Sequence, residues 1–146
     1  MAITTNAIAN SFKKELLEAK HNFTQTSGDQ FKIALYTNSA TLGKSTTSFT
    51  TDHQVSNTGQ YTSGGGKFAK GSQQTSVASS VAIVDFADRS FTGVTLTARG
   101  ALIYNTSNSN TAVAVLDFGG DKTATAGTFT IQFPAFTTSA AILRIS

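Results

Sequence analysis

From Val77 onward, apolar and polar residues alternate, and this alternation constrains the fold more than any other feature of the 146-residue sequence. Val81–Phe86 and Val113–Phe118 are apolar runs that end in Asp-Phe. Each is followed by a polar turn and then by a Thr-rich alternating segment, Phe91–Thr97 and Thr128–Phe133. A period of two residues is typical of strands with one buried face. Because no helical pattern long enough for a crossover separates these segments, we expect an antiparallel sandwich or barrel.

Three further segments bring the prediction to about six to seven strands: the alternating Phe31–Tyr36 and Ala141–Ile145, and the apolar Ala101–Tyr104. The composition agrees, since the chain holds 24 Thr, 16 Ser and 11 Phe but only 13% charged residues. Thr and aromatic residues suit pleated, half-buried surfaces. A length of 146 residues is that of one domain, so we predict a single domain over residues 1–146.

The N-terminal segment has a different period and predicts one amphipathic helix over about residues 5–21. Ile8, Phe12, Leu16, Ala19 and Phe23 recur at spacings of three and four, which places them on one face of a helix. A helix of this length is marginal alone in water. Its apolar stripe must therefore pack, either on the sheet of its own chain or on a neighbouring subunit.

Between the two parts of the β scaffold, residues 30–37 and 77–146, lies a long polar excursion over about residues 38–76. Loops of this length inside a small domain usually serve function or contact a partner. Phe49, Tyr61 and Phe68 provide apolar anchors, so we expect an extended surface segment with short strands.

The sequence gives no sign of a catalytic, cofactor or metal site. There is no Cys, and His21 and His53 have no partner at ligand spacing. Four carboxylates stand at predicted strand ends, where they suit turns and pairing with basic residues: Asp85, Asp88, Asp117 and Asp121. We therefore predict that the protein is not an enzyme.

The charge and hydropathy patterns argue against two classes of partner. The net charge is +3, but the 11 Lys and Arg residues are scattered, which disfavours nucleic acid. The longest apolar runs are far shorter than the roughly 20 residues of a membrane helix. The N-terminus lacks a basic and then apolar secretion signal, so we expect synthesis in a cytoplasm.

Candidate contacts with a protein partner come from three places. The Gly-rich loop suits either a flexible turn tip or close approach by another chain. Arg99, at a predicted strand end, suits an internal ion pair or a contact across an interface. Together with the helix stripe they give seven candidates: Phe12, Tyr61, Gly64, Gly65, Gly66, Lys67 and Arg99. We expect deletion of the loop 64–67 to weaken partner binding and to leave the fold intact.

Segments spread over nearly the whole chain resemble a group of small virion proteins of tailed bacteriophages: Phe31–Thr37, Tyr61–Lys67, Thr97–Asn105, Ala114–Lys122, Thr128–Pro134 and Ile142–Ile145. The resemblance implies a structural component of the particle. It favours a decoration (cement) protein on the outer capsid, with the major capsid protein and sister subunits, in a trimer, as partners. A neck or tail component is the alternative. The resemblance carries over no site residues.

Two other classes remain open from the sequence. A glycan- or receptor-binding module on a tail or fibre would use Tyr36, Tyr61 and Tyr104 to stack on sugars. A wall-degrading hydrolase would need a catalytic pair that the sequence does not offer.

Overall fold

A computed structural model describes residues 3–68 and 73–146 of the chain, and residues 69–72 of the predicted polar excursion lie outside it. In the described ranges the elements are, in chain order, β1 (Ala7–Ile8), α1 (Asn10–Leu17), β2 (Phe31–Tyr36), β3 (Gly66–Lys67), β4 (Gln74–Ala78), β5 (Val81–Asp85), β6 (Arg89–Asn105), β7 (Thr111–Ile131) and β8 (Leu143–Ile145).

The strands form two antiparallel sheets. The larger sheet has the order β1-β7-β6-β2-β3, and the smaller has the order β4-β5-β8. The predicted mainly β, antiparallel fold with one helix near the N-terminus is confirmed, in the form of two sheets and not a closed barrel.

Two long strands dominate the larger sheet. The sequence predicts four separate strands here, but β6 has 17 residues and β7 has 21, and they pair along most of their length. The predicted turn Gly119–Lys122 lies inside β7 as an irregularity, because Gly100 faces Asp117 whereas Ala98 already faces Lys122. Gly119 has a φ of +78°, which glycine adopts without strain. The local bulge accommodates the polar residues while pairing continues on both sides.

The helix is shorter than predicted, eight residues instead of about seventeen. Ala7 and Ile8 pair with β7 as strand β1, so the helix can begin only after them. It ends before Ala19, which has a φ of +59°. Within the described residues, no helix is long and apolar enough to span a bilayer.

An aromatic cluster joins the two sheets. Phe86 follows β5 of the smaller sheet, and its ring centroid lies 5.6 Å from that of Phe31 on β2 and 4.5 Å from that of Phe68. The rings of Phe23 and Phe133 lie 6.3 and 6.1 Å from Phe86. Such tilted and offset arrangements are the favoured geometries of aromatic pairs. Phe86 is therefore the centre of the contact between the sheets.

The described part of the polar excursion up to Phe68 packs along the larger sheet. Isolated bridges join Gln54 to Tyr36 and Ser48 to Thr111. Its apolar side chains are buried as anchors, among them Leu42, Val55 and Tyr61. The segment is thus a folded layer over the sheet with only short pairings of its own, as its scattered aromatic residues predict. The predicted end of the excursion at residue 76 is wrong, because Gln74–Ser76 already pair with β5 as part of β4 in the smaller sheet.

Candidate partner-contact surfaces

Tyr61 opens the Gly-rich loop and is a buried structural anchor. Its side chain is 1% exposed, and its ring packs edge-on to Phe91 with 5.0 Å between centroids. The backbone N–H of Leu35 donates a hydrogen bond of 2.8 Å to the phenolic oxygen. Burial raises the pKa of Tyr61 to about 12. The hydroxyl thus accepts a hydrogen bond from strand β2 at a buried position.

We expect Tyr61→Phe to lower the free energy of unfolding by about 1–3 kcal/mol, because it leaves the buried N–H of Leu35 without an acceptor. The aromatic packing on Phe91 is kept, so the native far-ultraviolet circular dichroism is also kept. Urea denaturation measures the loss. A variant as stable as the wild type would contradict the role given to the hydroxyl.

The three glycines of the loop are buried against strand β2. The N–H of Gly64 donates to the side-chain oxygen of Gln54 at 2.8 Å, and its carbonyl accepts a hydrogen bond from the Tyr104 hydroxyl. Gly65 has a φ of +88°, and a Cβ atom there would lie 1.9 Å from the carbonyl oxygen of Ile33. Gly66 pairs with Ile33 at the start of β3. Close approach by backbone requires glycine at position 65, and the approaching backbone belongs to the same chain. At Gly66 a Cβ atom would instead meet the side chains of Arg89 and Phe91.

Lys67 is the exposed candidate in this loop and faces Lys32 in the register of β2 and β3. Deleting 64–67 would remove β3 and the acceptor of the Tyr104 hydroxyl. From the structure we therefore expect this deletion to disturb the fold, in contrast to the expectation from the sequence. A partner contact at Tyr61, Gly64–Gly66 and Lys67 stays a prediction, and single substitution at Lys67 is the appropriate test.

Arg99 lies at the irregularity between β6 and β7 and forms an ion pair with Asp117. The backbone N–H of Gly119 donates to the same carboxylate at 2.8 Å, and this bond and the Arg99 guanidinium hold the pKa of Asp117 below its usual range. The N–H of Asp117 in turn donates to the side chain of Asn6 at 2.6 Å. Of the two roles considered for Arg99, the structure provides the internal ion pair.

Phe12 packs within its own chain. It is 3% exposed, and its ring lies 4.7 Å from that of His21 and 5.9 Å from that of Phe23. The half of α1 that carries Phe12 thus docks on the core. Leu17, at the C-terminal end of the helix, is 91% exposed.

His21 belongs to a buried polar group under the helix. The side-chain amide of Asn105 lies 3.0 Å from Nδ1 of His21 and also donates to Asp29 at 2.7 Å. With Nδ1 accepting, the ring is neutral and carries its proton on Nε2, which lies 3.7 Å from a carboxylate oxygen of Glu15. Burial lowers the pKa of His21, and this effect exceeds the opposing influence of the Glu15 and Asp29 carboxylates.

This group predicts a pH-dependent stability. The folded-state pKa of His21 lies below the value of about 6.5 in the unfolded chain, so between the two values the unfolded state binds more protons. The free energy of unfolding should therefore fall as the pH is lowered through about 6.5. His21→Phe, which keeps an aromatic ring beside Phe12, should reduce this slope in urea denaturation between about pH 8 and pH 5.

Exposed His53 provides the matched control, and His53→Phe should keep the wild-type slope. If His21→Phe retained the full wild-type slope, the neutral buried imidazole would be excluded as its source.

Exposed apolar side chains mark a surface that is not among the contact candidates predicted from the sequence. Four large apolar residues in the described ranges are exposed: Leu17 (91%), Val77 (72%), Ile145 (57%) and Phe136 (37%). In the sequence, only Leu17 pointed to this surface, because it is an apolar residue next to Leu16 that lies outside the apolar stripe of the helix. Val77 and Ile145 had no signal, because their exposure depends on both belonging to the smaller sheet.

The tyrosines on which the glycan alternative depends are buried. Tyr36, Tyr61 and Tyr104 are between 0 and 3% exposed, so none presents a ring face to a sugar. Among the residues that the structure describes, no group of three or more His, Cys, Asp or Glu side chains is placed to hold a metal ion.

The chain has no match among protein-family models, curated proteins or solved structures.

Proposed function

We propose that this protein is a structural component of a tailed-bacteriophage particle, and that it decorates the outer capsid. The main support for this proposal is the location, within the fold, of the segments that resemble virion proteins. Phe31–Tyr36, Gly66–Lys67, Thr97–Asn105 and Ala114–Lys122 fall on β2, β3, β6 and β7, which are consecutive neighbours in one sheet. Thr128–Pro134 begins at the end of β7, whereas Ile142–Ile145 includes β8 of the smaller sheet. The resemblance therefore covers most of the larger sheet and one strand of the smaller sheet.

The exposed apolar surface supports the same proposal. Large exposed apolar patches on a small protein usually mark contact with another macromolecule. A particle protein makes many copies of a modest contact, and multivalency makes the whole assembly strong. In the proposed role the partners are the major capsid protein and sister subunits in a trimer.

Cryo-electron microscopy of the parent particle tests the proposal directly. Density for this chain at icosahedral positions on the outer shell is the expected result. Density confined to the portal axis would overturn the capsid position in favour of a neck or tail component. Absence of the chain from the particle by peptide mass spectrometry would overturn the virion role altogether.

A second expected result concerns the stability of the shell. Particles assembled without this chain should release their DNA at a lower temperature than complete particles, and adding the purified protein back should restore the wild-type temperature. Fluorescence of a DNA-binding dye during heating measures the release. Equal release temperatures would contradict a cementing role.

A further inference from the structure

An apolar groove of about 380 Å³ separates helix α1 from the smaller sheet. Phe12 and Leu16, four residues apart, form its helical wall. Val84 and Leu143, which face each other across β5 and β8, form the opposite wall. Leu16 and Val84 are only partly buried, so the groove is open to solvent beside these two residues.

Three of the four most exposed large apolar side chains in the described ranges lie on or beside this groove. Leu17 and Ile145 line it. Val77 pairs with Ala82, and Ala82 pairs with Ile145, so these three residues form one row across the smaller sheet on the face of the groove. The groove and its rim are thus one continuous apolar surface, on a chain in which other large apolar residues are mostly buried.

The charge around the groove is positive. Lys13 and Arg144 line it, both are exposed, and neither forms an ion pair in the part of the chain that the structure describes. Among the described residues, no Asp or Glu side chain lines the groove. Glu15 faces His21, and Glu18 lies between Lys14 and Lys20. A ligand would therefore meet apolar walls, the Lys13 ammonium, and the Arg144 guanidinium, which already donates one hydrogen bond of 2.7 Å to the carbonyl oxygen of Ser139.

We propose that this groove binds an amphipathic, acidic segment of another protein, with its apolar side chains between α1 and the smaller sheet and its carboxylates facing Lys13 and Arg144. Helix-in-groove recognition uses such a combination of apolar walls and charged rims. Helix α1 is about 12 Å long, enough to contact about two turns of a partner helix. A groove-to-groove contact with a second copy of this chain is disfavoured, because it would bring two positive rims together.

Synthetic peptides test this inference on the isolated protein, independently of any particle. Two fluorescent peptides of about 15 residues carry leucines at helical positions i, i+3, i+4 and i+7; one has Glu at the remaining positions and the other has Lys. Fluorescence anisotropy should show that the Glu peptide binds at least about tenfold more tightly, a difference of about 1.4 kcal/mol.

Matched substitutions identify the groove as the binding site. Leu17→Ser and Ile145→Ser together should weaken the Glu peptide about tenfold or more, whereas Phe136→Ser, at the exposed apolar residue that does not line the groove, should leave binding unchanged. Lys13→Glu should weaken binding more than Lys67→Glu, which makes the same change in net charge at an exposed position that does not line the groove.

Equal affinity for the two peptides would overturn the inference, as would no binding at about millimolar peptide or unchanged binding by the Leu17→Ser, Ile145→Ser variant. Sedimentation of the free protein gives a further decisive outcome. Self-association that the same double variant abolishes would assign the groove to a second copy. Failure of any of these tests leaves the cryo-microscopy result untouched, and the reverse also holds, so the two proposals fail separately.

Discussion

Gly65→Ala should destabilise the protein by about 3 kcal/mol or more, because two penalties act together. The backbone at Gly65 has a φ of +88°, which costs an L residue of order 1 kcal/mol or more. The added Cβ would also lie 1.9 Å from the carbonyl oxygen of Ile33, so strand β3 must move away from β2. Such a loss is a large part of the 5–15 kcal/mol that typically stabilises a domain.

Gly43→Ala is the matched control for this substitution. A Cβ atom at Gly43 would meet nothing within 4 Å, and its φ lies outside the left-handed region. Its free energy of unfolding should remain within about 0.5 kcal/mol of the wild type. Thermal and urea denaturation of both variants measure the difference. Equal stability of the two variants would show that the approach of the Gly-rich loop to β2 is not as tight as described.

Phe86→Ala should cost about 3–5 kcal/mol, the range for removal of a buried aromatic side chain. Phe86 is 4% exposed, and its ring contacts Phe31 and Phe68 from the larger sheet and the segments next to it. The cavity would open where the two sheets meet, so the surrounding structure cannot close it without moving one sheet against the other. Hydrogen exchange should accordingly become faster in β4, β5 and β8.

Phe136→Ala removes the same side chain from a site that is 37% exposed and should cost less than about 1 kcal/mol. The pair of substitutions therefore compares one chemical change at two depths. A small cost for Phe86→Ala, or faster exchange spread evenly over both sheets, would show that the aromatic cluster is not the main connection between them.

The location of the exposed apolar groove bears on the proposed capsid role. The groove lies between α1 and the smaller sheet, whereas most of the segments that resemble virion proteins lie in the larger sheet. Ile142–Ile145 is the exception, because Leu143 and Ile145 line the groove. Because the scaffold lies mainly in the larger sheet, substitutions at exposed groove residues would leave most of it unaltered. In that arrangement, substitutions at Leu17 and Ile145 affect binding, and substitutions at Gly65 and Phe86 affect folding.

The sequence by itself determined the mainly β, antiparallel character of the protein and the positions of most strands. Period-two alternation is a local property, and burial of one face of a strand needs no knowledge of which strand lies beside it. The helix was located for the same reason, because its stripe is readable from spacing alone. The shorter helix and the merging of four predicted strands into β6 and β7 were not readable, since both depend on pairing with distant residues.

Only the tertiary structure decided which surfaces are available to a partner. Tyr61, Phe12 and the three glycines look like contact residues in the sequence, because aromatic and glycine residues serve interfaces and internal packing equally well. The fold buries them: Tyr61 accepts a hydrogen bond from β2, and Gly65 lies against Ile33. Val77 and Ile145 look like core residues in the sequence and are exposed. Whether a side chain is exposed depends on which distant segments of the chain pack against it. Exposure is therefore set by the arrangement of the two sheets and the helix, and not by the type of the residue.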